Sequence, residues 1–146
     1  MEKGDYLIST DKSKIDLNTV HDFLAHSYWS ENISKDLVQK SIDNSLCFAV
    51  YHGENLVGFA RVISDFVTFA YLADVFILPG QRGKGLSKWL MKVIMDYPDL
   101  QGLRRFTLAT RDAHGLYAQF GFTSLDKPER WMHRHDPNIY KKNKIL

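Results

Sequence analysis

Apolar residues follow two different spacings along this chain of 146 residues. Segments with the spacing of one helix face lie at residues 18–28, 35–43, 86–97 and 113–120. Shorter apolar or aromatic runs, typical of strands, lie at residues 6–9, 46–52, 56–64, 70–78, 105–110, 122–125 and 131–133. Ser34 is placed to cap the second helix, and Gly53 and Asn55 flank a hairpin turn. The pattern predicts one α/β domain over residues 1–146, with about four helices.

The segment between the fourth strand and the third helix has the composition of an anion-binding loop. A strand ending at Leu78 leads into two glycines, Gly83 and Gly85, and a helix begins near Leu86. The first N–H groups of a helix lack partners within it, and the helix dipole favours negative charge there. Arg82 and Lys84 add positive charge. We therefore expect a phosphate-bearing ligand, the alternative being a basic surface turn that begins an ordinary helix.

Two common phosphate loops do not match this segment. A P-loop requires Gly, four residues and then Gly-Lys-Ser/Thr, and a dinucleotide loop requires a third glycine where Lys88 stands. The segment instead resembles the Arg/Gln-x-x-Gly-x-Gly/Ala pyrophosphate loop of the GNAT superfamily of acyl-CoA-dependent N-acyltransferases. Arg82 fills its first position and Gly85 its fourth, while Ser87 stands where Gly or Ala is usual.

A second segment resembles the same superfamily. Residues 116–122, with the sequence Leu-Tyr-Ala-Gln-Phe-Gly-Phe, resemble the Leu-Tyr-x-x-x-Gly-Phe signature that follows its fifth strand. Tyr117 and Phe120 have helical spacing, Gly121 is placed to end the helix in a left-handed turn, and Phe122 is expected to begin a strand. The two motifs occur in the family's order, with a helix and a strand between them.

The resemblance implies the GNAT fold, a mixed and mostly antiparallel sheet that splays between its fourth and fifth strands. Acetyl-CoA would lie in the gap as co-substrate, and no metal is expected. The fourth strand would offer main-chain groups to the pantetheine and the acyl carbonyl, and the loop would surround the pyrophosphate. The implied cofactor-binding residues are Val75, Phe76, Ile77, Arg82, Gly83, Lys84, Gly85, Leu86, Ser87 and Lys88.

The implied reaction is direct attack of an amine on the thioester. It needs a neutral amine, a group that stabilises the oxyanion and a proton for the departing thiolate. A backbone N–H near Phe76 or Ile77 would serve the oxyanion. Tyr117 occupies the family's tyrosine position and is the candidate acid, the alternative being a packed core tyrosine.

Two residues are candidates for the catalytic base. Asp74 is a carboxylate within an apolar strand, on the same face as Phe76, and needs either a function or a partner such as Arg61 or Arg111. His114 lies three residues before Tyr117, so both can share one helix face, and its pKa class suits proton transfer. Its alternative role is to cap or pack the short helix. Asp112 is interpreted as the N-cap of that helix.

Aromatic residues in two other regions indicate an acceptor site. Tyr28 and Trp29 lie between the first two helices, a region that lines the acceptor site in the GNAT fold, and Trp131 falls near the seventh strand. We expect a small-molecule amine or a peptide amine as acceptor. His133 and His135 could share one strand face as metal ligands, but they lack a third ligand nearby.

Composition limits the remaining function classes. A net charge of +2 gives no reason to expect a nucleic acid partner, and no apolar run reaches the length of a membrane span. The single cysteine, Cys47, lies in an apolar run, which suits a buried strand residue and a reducing cytoplasm. A homodimer stays open because exposed strand edges often pair. The alternatives to an enzyme are a non-catalytic acyl-CoA-binding regulatory module and a nucleotide-binding protein.

Overall fold

The computed structural model describes residues 1–141, which form a six-stranded sheet flanked by helices. The strands, in their spatial order, are Glu2–Lys3 (β1), Tyr6–Ser9 (β2), Leu46–His52 (β3), Asn55–Ser64 (β4), Phe69–Ile77 (β5) and Arg105–Leu108 (β6). Neighbouring strands from β1 to β5 are antiparallel, whereas β6 is parallel to β5. The α-helices are Leu17–Ala25 (α1), Lys35–Asp43 (α2), Leu86–Asp96 (α3) and His114–Ala118 (α4). The predicted α/β architecture is confirmed, and β1 is an addition to it.

Side-chain caps and turns set the ends of these elements. The hydroxyl of Ser34 accepts a hydrogen bond from the N–H of Leu37 at 3.3 Å, which confirms the predicted cap of α2. Gly121 has a φ of 88°, which confirms the left-handed turn after α4. Helix α1 ends at Ala25, three residues earlier than predicted. Tyr28 and its neighbour therefore lie in the connection between α1 and α2.

The helices cover both faces of the sheet. One core packs α1 and α2 against the sheet; its fully buried members include Val20, Leu24, Val38, Ile42, Cys47 and Phe59. The other packs α3 and α4 against the opposite face; its members include Val62, Leu72, Leu90, Met91 and Ile94. Burial raises the pKa of the Cys47 thiol to about 11, as expected of a thiol in a core strand.

Strands β5 and β6 separate half-way along β5. Their pairing runs from Phe69 opposite Arg105 to Leu72 opposite Leu108 and then stops. Strand β5 continues to Ile77, while the chain leaves β6 after Leu108. The predicted splay is therefore confirmed. A cleft of about 450 Å³ lies at this separation, and we call it the splay cleft.

A β-bulge in β5 determines which face its last residues occupy. Phe59 pairs with Phe76 and Arg61 pairs with Ala73, so two residues, Asp74 and Val75, stand opposite one. Asp74 has a φ of 56°. The extra residue reverses the alternation, so that Phe76 packs into the core of α1 and α2 although Leu72 packs into the other core.

The prediction of two strands after α4 is wrong. Within the described residues, 122–125 and 131–133 have no ladder partner and do not form strands. Their aromatic residues pack instead: the ring of Phe122 lies 5.6 Å from that of Phe106, and the ring of Trp131 lies 4.9 Å from the guanidinium carbon of Arg105. A 3₁₀ turn at Pro128–Arg130 separates the two segments. The aromatic runs thus reflected packing and not strand pairing.

Candidate active site

The glycine loop before α3 presents unpaired main-chain donors. Gly83 and Gly85 have φ values of 81° and 76°, and a Cβ atom at either would meet nothing within 4 Å. Glycine is therefore required by the backbone conformation and leaves open space in front of the loop. Gly85 is the N-cap of α3 and supplies no side-chain acceptor. Consequently the N–H groups of residues 86–88 have no acceptor among residues 1–141, an arrangement that suits a phosphate.

Side-chain hydrogen bonds hold this loop, and one of the side chains reaches it from β2. The hydroxyl of Tyr6 in β2 donates to Oε1 of Gln81 at 2.6 Å, and Nζ of Lys84 donates to both residues at 3.3 and 3.2 Å. Nε of Arg82 donates to the carbonyl oxygen of Ile77 at 3.0 Å. The sequence analysis missed Tyr6 and Gln81, because a contact across 75 positions leaves no local pattern.

The open edge of β5 supplies main-chain groups to the splay cleft. The N–H of Leu78 donates to the carbonyl of Val57 in β4 at 2.8 Å. Backbone groups of successive strand residues point to opposite edges, so those of Phe76 also face β4. Those of Val75 and Ile77 therefore face the open edge. Of the two N–H groups suggested for the oxyanion, only that of Ile77 is directed there.

Tyr117 lines the splay cleft from α4. Its side chain is only 8% exposed. Burial raises the pKa of its phenol above 10, and the nearby Tyr28 and Asp112 raise it further. The raised pKa keeps the phenol protonated. Within residues 1–141 its hydroxyl has no hydrogen-bond partner, so it can donate its proton to a ligand. His114 is exposed and lines neither this cleft nor the larger one described below.

Asp74 is committed to two hydrogen bonds. One carboxylate oxygen accepts from Nε1 of Trp29 at 2.8 Å, and the other accepts from Nε of Arg61 at 2.8 Å. Arg61 also donates to the hydroxyl of Ser45 at 3.1 Å. The carboxylate is 7% exposed. The partnered arrangement with Arg61 is therefore the one present.

Three side chains form a wall between the splay cleft and a second cleft of about 1060 Å³ beside α1, which we call the α1 cleft. They are Tyr28, Trp29 and Arg111, and each lines both clefts. The guanidinium carbon of Arg111 lies 3.9 Å from the ring centroid of Tyr28, and the rings of Tyr28 and Trp29 are 5.0 Å apart. Arg111 was considered from the sequence only as a partner of Asp74.

Trp131 and Asp112 do not have the positions predicted for them. Trp131 packs on Arg105 at the start of β6, the end away from the splay cleft, and lines neither cleft. The predicted N-cap role of Asp112 is wrong, because Ala113 occupies the cap position of α4. The hydroxyl of Thr110 accepts from the N–H of Ala113 at 3.0 Å instead.

The pattern of loop, splayed strands and α4 tyrosine agrees with a comparison against known families. The model of the acetyltransferase (GNAT) family matches residues 17–122, more than half of the chain. The chain belongs to the GNAT family. Members of this family are acyltransferases that use acetyl-CoA, so the predicted enzyme class is confirmed.

Individual GNAT relatives extend the comparison. A Gibberella zeae protein named "Putative acetyltransferase FG08082" is 30% identical over 140 residues, covering 80% of this chain and 78% of that protein. A crystal structure of a GNAT-family protein from Xanthomonas campestris pv. campestris is 52% identical, with a TM-score of 0.91, covering 92% of this chain and 96% of that chain. A Clostridium acetobutylicum protein crystallised with acetyl-CoA shares the fold, with 12% identity and a TM-score of 0.64, covering 89% of this chain and 94% of that chain.

Two features are absent from residues 1–141. No helix there is both long enough and apolar enough to cross a membrane. No group of three or more His, Cys, Asp or Glu side chains there is arranged to hold a metal ion. The rings of His133 and His135 are 5.8 Å apart and stand without a third such ligand in that region.

Proposed function

We propose that this GNAT protein transfers the acetyl group of acetyl-CoA to the primary amine of a small molecule or peptide. The observation that carries the proposal is the combination of the open edge of β5 and the phenol of Tyr117 at the splay cleft with the glycine loop that follows β5 along the chain. The Clostridium acetobutylicum protein of the same fold, crystallised with acetyl-CoA, supports this choice of acyl donor.

The loop is suited to the pyrophosphate of acetyl-CoA. The N–H groups of Leu86, Ser87 and Lys88 have no acceptor among residues 1–141, and the space in front of Gly83 and Gly85 is open. A phosphate there would receive several main-chain hydrogen bonds at the positive end of the dipole of α3. Val75 and Ile77 would then offer main-chain groups to the pantetheine and the acyl carbonyl. Acetyl-CoA supplies an acetyl group activated as a thioester.

Different residues of the cleft stabilise the oxyanion and protonate the leaving thiolate. The nitrogen of a neutral amine attacks the carbonyl carbon, a C–N bond forms and the C–S bond breaks. The N–H of Ile77 stabilises the charge on the carbonyl oxygen. Tyr117 gives its proton to the departing thiolate. The proton released by the amine passes to water, because the carboxylate of Asp74 is nearly buried and paired with Arg61.

The second candidate function is a non-catalytic acyl-CoA-binding module. The observation that favours it is that Asp74, one of the two predicted bases, is already bound by Trp29 and Arg61. A regulatory module would bind acetyl-CoA and CoA but would transfer the acetyl group to no amine.

Calorimetric titration with acetyl-CoA, with CoA and ATP as comparison ligands, is the first test. We expect saturable binding of acetyl-CoA and CoA, followed by release of the CoA thiol when a panel of amines is added. Absence of acetyl-CoA binding, or binding of ATP alone, would exclude the proposal. Binding without thiol release across the panel would favour the module. The cytoplasmic location and the homodimer stay predictions.

A further inference from the structure

Arg111 presents a fixed positive charge at the junction of the two clefts. Its guanidinium lies over the ring of Tyr28 at 3.9 Å, and its main-chain N–H donates to the hydroxyl of the same tyrosine at 3.4 Å. The carboxylate of Asp112 is 3.9 Å from Nη2, but the two side chains are 65% and 71% exposed. Solvent screens such a pair, so it holds the guanidinium weakly. The guanidinium donors therefore remain available to a ligand.

The charges around the α1 cleft favour an anion. Besides Arg111, its ionisable lining residues are His21, Asp22, His26 and Lys35. Nε2 of His21 lies 2.9 Å from a main-chain carbonyl, and Nδ1 of His26 lies 2.7 Å from the main-chain oxygen of Asp22 and 3.9 Å from its carboxylate. The α1 cleft thus has two permanent cations, Arg111 and Lys35, and one carboxylate, that of Asp22, which already lies beside His26.

The nearest buried carboxylate does not change this balance. Asp74 lines the splay cleft, but its negative charge is paired with Arg61 at 2.8 Å. Within the described residues, the three carboxylates that line the two clefts, Asp22, Asp74 and Asp112, each lie beside a histidine or an arginine, so a substrate with several positive charges finds none of them unpaired. Phe23, Tyr28 and Trp29 supply an aromatic surface next to the cationic groups. The surroundings therefore combine an apolar contact with an anion site.

We propose that the acceptor is an amine that also carries a carboxylate, in the manner of a free α-amino acid, and that Arg111 binds this carboxylate. The proposal rests on the proposed acetyl transfer. The amine and the carboxylate of an α-amino acid are attached to the same carbon atom. A carboxylate bound at the shared wall therefore leaves its amine beside the splay cleft, where Tyr117 and the open edge of β5 lie. A guanidinium can bind a carboxylate through two parallel hydrogen bonds.

Matched acceptors test the carboxylate directly. Free L-amino acids with apolar, aromatic and acidic side chains are each compared with their carboxamide and with the decarboxylated amine. Acetyl transfer is followed by CoA thiol release and by the mass of the product. We expect kcat/KM for the free acid to exceed that for the carboxamide by about 10- to 100-fold, the range of hydrogen bonds to a charged group.

Arg111→Gln tests the residue, and Arg105→Gln is its matched control. Arg105 also lies over an exposed aromatic ring, that of Trp131, but at the far end of β6. In Arg111→Gln we expect KM for the free acids to rise until the preference over the carboxamides disappears. Arg105→Gln keeps the preference. The dissociation constant of acetyl-CoA stays the same in both variants.

The contrary outcomes can be told apart. Equal use of free acids and carboxamides by the unmodified protein would overturn the carboxylate proposal and leave acetyl transfer standing. An Arg111→Gln variant with weakened acetyl-CoA binding, or with all acceptors slowed equally, would assign Arg111 to the donor or to the structure and also overturn it. If none of the amines led to release of the CoA thiol, the proposed function itself would be overturned.

Discussion

The glycine loop and the wall between the clefts are built in different ways. The loop is one short stretch, residues 82–88, whose functional groups are main-chain N–H groups set by two glycines in left-handed conformation. The wall combines side chains from separate segments: Tyr28 and Trp29 between α1 and α2, and Arg111 after β6. Trp29 is held in turn by Asp74 in the bulge of β5.

This difference predicts how each region responds to change. A main-chain site depends on backbone conformation and tolerates most changes of side chain, glycine excepted. A side-chain site depends on pairs, so removal of one partner deprives the other of its contact, and the cost is largest where that group is nearly buried, as Arg61 is. The variants below test this contrast, from the largest expected effect to the smallest.

Gly85→Glu should abolish measurable binding of acetyl-CoA, with a rise in the dissociation constant of about a thousandfold or more, roughly 4 kcal/mol. The new side chain is strained at a φ of 76° and places a carboxylate where the pyrophosphate would lie. Calorimetric titration measures the loss. Gly102→Glu is the matched control, because Gly102 also has a φ of 76° and a Cβ atom there would likewise meet nothing within 4 Å. Equal loss of binding in both variants would assign the effect to misfolding.

Tyr117→Phe should lower kcat by about 10²- to 10⁴-fold, the range of general acid catalysis, and leave acetyl-CoA binding nearly unchanged. Steady-state thiol release and calorimetry separate the two quantities. Tyr51→Phe is the control, because that hydroxyl is buried, has no hydrogen-bond partner in the described part of the chain and belongs to the core of α1 and α2. Unchanged turnover in Tyr117→Phe would remove the tyrosine from the mechanism.

The pH profile provides a second reading of Tyr117. Burial raises the pKa of its phenol above 10, so the protonated acid persists to a higher pH than a free tyrosine would. We expect kcat to fall on the alkaline side only above pH 10, and Tyr117→Phe to lack that fall. A decline near neutral pH that persists in the variant would belong to another group.

Asp74→Asn should destabilise the protein by about 3 kcal/mol, because Arg61 would lose its charged partner in a nearly buried position. Asparagine tolerates the left-handed backbone of this position, so the bulge itself is retained. Urea denaturation measures the loss, and the double variant with Arg61→Gln should recover part of it. A collapse of turnover with unchanged stability would instead make Asp74 the base.

The fold and the loop could be predicted because their signals are local. The periodicities of α2 and α3, the Ser34 cap and the glycines before Leu86 each lie within a few residues of the structure they determine. The strands predicted after α4 were wrong for a corresponding reason. A short aromatic run shows that a segment packs, as Phe122 does on Phe106, but not whether it finds a ladder partner.

The wall could be predicted only in part. Tyr28 and Trp29 were identified by their place between two helices, and Asp74 by its charge within an apolar strand. The partners that decide their roles, Arg61 and Arg111, lie 13 residues before Asp74 in one case and 83 residues after Tyr28 in the other. The Arg61–Asp74 pair depends on the register of β4 and β5, and the Arg111–Tyr28 pair depends on where β6 separates from β5. Neither arrangement can be predicted from the residues next to these positions in the sequence.

Tyr6→Phe tests whether the glycine loop is as independent of side chains as the contrast suggests. The variant keeps the stacking of the ring on His52, at 4.5 Å, but loses the hydroxyl that contacts Gln81 and Lys84. One net hydrogen bond contributes about 1 kcal/mol, so we expect the dissociation constant of acetyl-CoA to rise roughly fivefold with kcat unchanged. Calorimetric titration measures the change, and His52→Asn, which removes the stack but keeps the hydroxyl, is the companion variant. Binding equal to that of the unmodified protein would mean that residues 82–88 hold their conformation alone. A larger rise in Tyr6→Phe than in His52→Asn would make the β2 hydroxyl, 75 positions from Gln81, part of the phosphate site.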